Sequence, residues 1–188
     1  MFTKLKSKIG HSRLSKQLKN LQRNKMVYNL DSARRIGIVF IASSDLVFEQ
    51  ALGFMNFLKE KNLEVKLIAY YPGKEIPQKF LLRKNINVFT KKDLNWYFKP
   101  LSTFADEFIA TDFDILIDLS MQETFPLKWI TSLSRAKFKV GNLSYFGNPN
   151  DLIINIKPQE NLDYLITQIK HYLYLINNRI AQEKIEVS

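Results

Sequence analysis

The stretch Phe113-Asp114-Ile115-Leu116-Ile117-Asp118-Leu119-Ser120 constrains this chain more than any other. It is an apolar run of strand length with a helical pattern before it and another after it. Such a run reads as a strand buried on both faces of a parallel sheet. Its polar end, Asp118-Leu119-Ser120, is where a ligand of such a sheet would sit.

The rest of the chain hangs on either side of that strand. Residues 36–42 are apolar apart from Gly37 and predict a first strand, followed by the turn Ser43-Ser44-Asp45. A helix is expected from Leu46 to Lys61, with Asn62 as its stop, then a second strand over Val65 to Tyr71. Pro72-Gly73 breaks that strand, and a short element from Ile76 to Leu82 precedes a third strand over Ile86 to Thr90. An aromatic-rich connector, residues 91–100, leads to a helix that Ser102 can cap and that runs to Ile109. Beyond the central strand, Gln122 to Arg135 is helical in pattern, provided that Pro126 lies in the first turn. A fifth strand (Phe138 to Val140, ending at Gly141), turn chemistry at 147–150, a sixth strand (Leu152 to Ile156) and a closing helix (Leu162 to Ala181) complete the pattern.

Strands alternating with helices define an α/β fold with helices on both faces of the sheet. Right-handed crossovers favour a doubly wound, mostly parallel, Rossmann-like sheet of about six strands in the order 3-2-1-4-5-6. The first and fourth strands are then neighbours. Their ends bring Ser43, Ser44 and Asp45 opposite Asp118 and Ser120 at the switch point, and these five residues are the ligand-pocket candidates.

Charge divides the chain in two. Residues 1–35 carry Lys4, Lys6, Lys8, Lys16, Lys19, Lys25, Arg13, Arg23, Arg34 and Arg35 against the single acid Asp31, so they hold nearly all of the net charge of +10. The expected organisation is a basic, amphipathic helical arm over 1–35 and a Rossmann-like domain over 36–188. Within the arm, Phe2, Leu5 and Ile9 recur at helical spacing, Gly10-His11-Ser12 interrupts the pattern, and a second helix is expected from Arg13 to about Tyr28 with Leu14, Leu18 and Leu21 on one face. Such an arm can contact the phosphates of RNA, an anionic membrane surface or a protein partner, or it can be a solvated helix packed on the body.

Enzymatic chemistry finds few residues. None of the six glycines lies in the first strand-to-helix turn, where a phosphate-binding loop needs them, and Asp45 there repels phosphate. A chain without cysteine has no disulfide, no thiolate nucleophile and no Cys-based zinc site. His11 and His171 lie too far apart in sequence to suggest a metal pair, and neither falls at a strand end where a Ser-His-Asp triad would need it. No cofactor and no metal are expected. Asp45 and Asp118, joined by Glu123, remain as catalytic candidates if the protein is an enzyme; otherwise they cap the helix and turn that follow them. Trp96, Trp129, Tyr145 and Phe146 are open to either base stacking or core packing. No apolar stretch reaches the roughly 20 residues of a membrane span, and the N-terminus has no secretory apolar region, so a cytoplasmic protein is expected.

Two resemblances rest on quoted residues. The segment Ile36 to Lys61, with Ser43-Ser44-Asp45 after a strand, resembles the opening of heptosyltransferase-type glycosyltransferases. So does Phe113 to Asp118, followed by a helix and then Ala136-Lys137-Phe138-Lys139-Val140-Gly141. The resemblance implies one Rossmann-like lobe, with Asp45 at the position of that family's catalytic base and Ser44 where the family has glycine. The second lobe, which holds the sugar-nucleotide donor, has no room here, so an ancestral half-fold without transferase activity is implied. The whole chain, including its basic start and Ile169-Lys170-His171-Tyr172-Leu173, also resembles a family of small Bacteroidota proteins of unassigned function, which implies that arm and body belong together. The leading expectation is a non-enzymatic protein associated with RNA or the ribosome. The alternatives are a small or degenerate glycosyltransferase-like sugar-nucleotide binder and a peripheral binder of anionic membrane.

Overall fold

The strands of the computed structural model are β1 (Arg35–Ile41), β2 (Glu64–Tyr70), β3 (Ile86–Phe89), β4 (Ile115–Asp118), β5 (Phe138–Gly141) and β6 (Leu152–Ile153). The helices are α1 (Phe2–Leu18), α2 (Asp45–Glu60), α3 (Gln78–Leu81), α4 (Thr103–Ala110), α5 (Phe125–Leu133) and α6 (Leu162–Leu175). The structure describes residues 2–81, 85–142, 147–157 and 160–176. Tyr145, Phe146, Leu82 and Ala181, named above, lie outside them.

The sheet has the order β3-β2-β1-β4-β5-β6 and every pairing is parallel. β1 and β4 are neighbours in register Ile36 to Ile115 and Val39 to Asp118, which is the doubly wound order expected from the alternation. The period-2 geometry of a strand sends alternate residues to opposite layers. Ile36, Ile38 and Phe40 of β1, with Ile115 and Ile117 of β4, pack beneath Phe48, Leu52 and Leu58 of α2 and Leu165, Ile169 and Leu173 of α6. Val39, Ile41 and Leu116 face the other way, against Phe108 of α4 and Leu127 and Ile130 of α5. Gly37 sits where β1 passes under that second layer. A Cβ there would lie 2.9 Å from the Phe113 ring, so only glycine lets the aromatic seat.

Local chemistry sets most boundaries. Ser44 caps α2 by accepting from the Val47 N–H, and Asn62, at φ 61°, takes the left-handed position just past the C-cap Lys61. Pro126 lies in the first turn of α5, where a missing N–H is harmless. Three expectations were too long or misaligned. α5 begins at Phe125 rather than Gln122, β6 stops at Ile153 rather than Ile156, and α2 begins at Asp45 rather than Leu46, which is 67% exposed.

The N-terminal segment departs furthest from expectation. Gly10-His11-Ser12 does not interrupt a helix; α1 runs through it without a break and ends at Leu18, and no second helix reaches Tyr28. Gly10 is a packing residue. A Cβ on it would stand 2.7 Å from the Tyr97 carbonyl oxygen and 2.8 Å from the Phe125 ring. Leu14, one turn on, is buried with Trp129 and Leu133 in a third cluster, and His11 meets the Phe125 ring edge-on at 4.9 Å. The buried stripe of α1 is therefore Gly10 and Leu14 rather than Leu5 and Ile9, and Leu5 is 58% exposed. A buried leucine contributes about 1.5–3 kcal/mol, enough to order a helix that is marginal alone.

After Leu18 the chain crosses the body in extended form. The Met26 N–H donates to the Lys137 carbonyl and the Leu30 N–H to the Leu173 carbonyl. Arg23 is the chief anchor. Its guanidinium bonds the carbonyls of Ala136 and Lys137 and pairs with the Asp151 carboxylate through two nitrogens.

Candidate functional site

The switch point between β1 and β4 holds the five ligand-pocket candidates, but their side chains live in different environments. Asp45 opens α2 as an exposed residue and pairs with Lys79 of α3. Ser44 is occupied as the helix cap, and Ser43 is exposed. Asp118, the last residue of β4, is 5% exposed, and its Oδ1 accepts the Ser120 N–H at 2.9 Å. Burial pushes the Asp118 carboxyl up to about 6, partly offset by hydrogen bonding from Ser120. Ser120 itself is 2% exposed. The cleft at these strand ends, about 280 Å³, is lined by Ile41, Ser43, Val47, Leu119, Met121 and Gln122. Neither carboxylate lines it. Glu123, the third candidate acid, pairs with Lys128 at 2.9 Å. Among the described residues no group of three or more His, Asp or Glu side chains is placed to hold a metal ion.

The opposite end of the sheet carries a carboxylate that the sequence did not single out. Asp114 accepts the N–H groups of Arg34 and Arg35 at 2.9 and 3.0 Å and the Lys137 ammonium at 2.9 Å. Burial works against its charge, but the Lys137 ammonium and the two N–H groups outweigh it and hold the carboxyl below its usual range. This acid ties the start of β1 to β4 and β5. Lys139, alternating with Val140 on β5, is 2% exposed and donates to the carbonyls of Thr131 and Ser132 at the C-terminal end of α5, at 2.6 and 3.0 Å. Burial depresses its ammonium to about 7.

The basic residues of 1–35 fall into two groups. Arg23 is spent on Asp151, Lys25 lies 3.2 Å from the same carboxylate, and Arg35 pairs with Glu64 at 3.1 Å. Lys4, Lys6, Lys8, Arg13, Lys16 and Lys19 are exposed, and their side chains make no ion pair or hydrogen bond among the described residues. Arg34 is exposed as well. The docking of α1 on α5 thus fixes Lys4, Lys8 and Lys16 as a ridge, with Lys19 just beyond it and Lys6 and Arg13 about half a turn round the helix. His171 is exposed on α6, and Trp129 is 1% exposed in the α1–α5 contact.

The connector at 91–100 borders the same helix. Thr90 and Asp93 cap a single 3-10 turn over Lys91–Asp93, and a bridge joins Leu94 to Pro100. Trp96, at the tip, is 58% exposed. Its role was open in the sequence, because exposure depends on a loop conformation that no local pattern specifies.

Parallel order, crossovers and layers place the protein in the Rossmann-like α/β class. The family model described as "Family of unknown function (DUF6913)" matches residues 6–176, and the chain belongs to that family. The match takes in most of α1 as well as the sheet. No curated protein matches the sequence. Among solved structures, the chain is similar to E. coli heptosyltransferase WaaC with ADP, at 13% identity and a TM-score of 0.46. That similarity covers 72% of this chain and 46% of the other, so the chain spans less than half of the structure it resembles. Among the described residues no helix is long and apolar enough to cross a membrane.

Proposed function

We propose that this protein is a non-enzymatic RNA-binding protein, placed on ribosomal or other RNA by the cationic ridge of α1. The observation that carries the reading is the unpaired, exposed set Lys4, Lys6, Lys8, Arg13, Lys16 and Lys19 on and beside a helix held against the body. A docked helix presents its charges at fixed spacing, so less conformational entropy is lost on meeting a phosphate backbone. The apolar stripe of α1 is already used against α5. Leu5 and Leu18 are the exposed large apolar side chains of the described α1 surface, where cations outnumber them.

The test is binding of a labelled RNA across a salt series. If all six cations engage phosphates, the logarithm of affinity falls with the logarithm of salt at a slope of about −4, or about 300-fold between 50 and 200 mM. Replacing Lys4, Lys8 and Lys16 together by glutamine should halve that slope. Substitution is cleaner than deletion, because removing α1 would uncover Trp129 and Leu133. A salt-independent affinity, or one indifferent to the three substitutions, would overturn the reading. Binding to phosphatidylserine vesicles without binding to RNA would transfer the ridge to the membrane alternative.

A further inference from the structure

The connector between β3 and α4 is built to hold one indole in solvent. Trp96 is 58% exposed, and no phenylalanine with a described side chain is exposed to that degree. The loop beneath it is fixed. Asn95 Oδ1 accepts the N–H groups of Tyr97 and Lys99 at 3.1 and 2.9 Å, while the Asn95 N–H donates to the Lys99 carbonyl at 2.9 Å. Phe98 closes the turn at φ 70°, a left-handed conformation that a bulky residue adopts at a cost. Tyr97 anchors the loop from below. Its ring meets Trp129 at 6.4 Å and stands edge-on to the Trp96 ring at 5.2 Å, and its carbonyl lies against Gly10 of α1.

The exposed ring therefore stands on a rigid loop that touches the cationic helix. Lysines flank the loop along the chain. Lys91 and Lys92 are exposed just before the loop, and the Lys99 ammonium sits 5.7 Å from the Trp129 ring centroid. A preorganised aromatic face on a loop flanked by lysines and packed on the cationic helix matches a ligand with phosphates and accessible flat bases at once. Bases inside a duplex are already stacked on each other and cannot meet it.

We infer that Trp96 is a base-stacking platform and that the RNA bound along α1 is single-stranded where it passes the 95–99 loop. This rests on the RNA reading of α1 and specifies its ligand. The platform takes any unpaired base, because every base has a π face, so it supplies affinity for strandedness rather than for sequence.

The two tryptophans make the test direct, since Trp129 is 1% exposed and Trp96 alone can report contact from solvent. The full chain is titrated with a short oligo(U), an oligo(dT) of equal length and an RNA duplex, following probe anisotropy and tryptophan emission. Oligo(U) should quench the emission. Trp96→Ala should weaken oligo(U) binding roughly 5- to 150-fold with the salt slope and the duplex affinity unchanged, and Trp96→Phe should restore most of the loss. Oligo(U) binding without quenching, equal in wild type and Trp96→Ala, would overturn the platform and leave the RNA reading standing. Equal weakening of duplex and oligo(U) would also overturn it. Tighter binding of oligo(dT) would reassign the platform to single-stranded DNA. No binding of any of the three would remove both readings.

Discussion

Asp118→Asn separates burial from charge at the switch point. The folded-state pKa of Asp118 is raised by burial from 3.8 to about 6, so the folded protein holds this proton more tightly than the unfolded chain does. The group's stabilising contribution is fully present below about pH 4 and is lost as pH rises through 6. About two units at ~1.4 kcal/mol each amount to about 3 kcal/mol, of which about 2 falls between pH 4.5 and 7.5. Asparagine keeps the shape and can still accept the Ser120 N–H, but it does not titrate. Asp114 and Asp151 are shifted the other way, downward, so their contributions are present at neutral pH and lost in acid. Both remain in the variant and cancel when the two proteins are compared. Urea denaturation followed by circular dichroism, at several pH values from 4.5 to 7.5, should show the variant gaining about 2 kcal/mol relative to wild type across that range. A difference that stays flat with pH would mean that the carboxyl is solvated, and would refute the placement of Asp118 beneath the second layer.

Three further perturbations test other parts of the structure. Gly10→Val drives a side chain into the Tyr97 carbonyl, which cannot yield as a flexible side chain would; a loss of about 1–3 kcal/mol and faster amide exchange along α1 are expected, and unchanged exchange would contradict the docking. Arg23→Gln leaves the half-buried Asp151 with the exposed Lys25 and the Lys139 N–H, and strips bonds from two carbonyls; it should cost about 2–3 kcal/mol in a denaturation series. Asp45→Asn breaks a pair whose partners are both more than half exposed, and should change stability by less than about 0.5 kcal/mol.

The sheet order was legible because alternation and crossover handedness leave few other topologies for six strands and their helices. The burial of Asp118 was within reach as well. It shares a face with Leu116, and a central parallel strand has no solvent face. Asp45 looked equivalent in the sequence, yet it opens a helix and points to water. The path of residues 1–35 was not legible. Gly10 reads locally as a helix breaker, whereas its actual role is set by Tyr97 and Phe125, far along the chain. Arg23 looked like one of ten similar cations. Only the tertiary fold, which brings up Asp151 and the Ala136 and Lys137 carbonyls, distinguishes it from Lys16 or Lys19.

The docking of α1 sets an order of events during synthesis. This helix leaves the ribosomal tunnel before α5 does, yet its seat is built from Tyr97, Phe125, Trp129 and Leu133. At about 5–20 residues per second, those residues follow on the order of ten seconds later. For that interval the helix has no surface to fold against, and a segment of its length is marginal in water by itself. The basic helix is thus made before its own seat, and takes its shape only when α5 arrives to hold it.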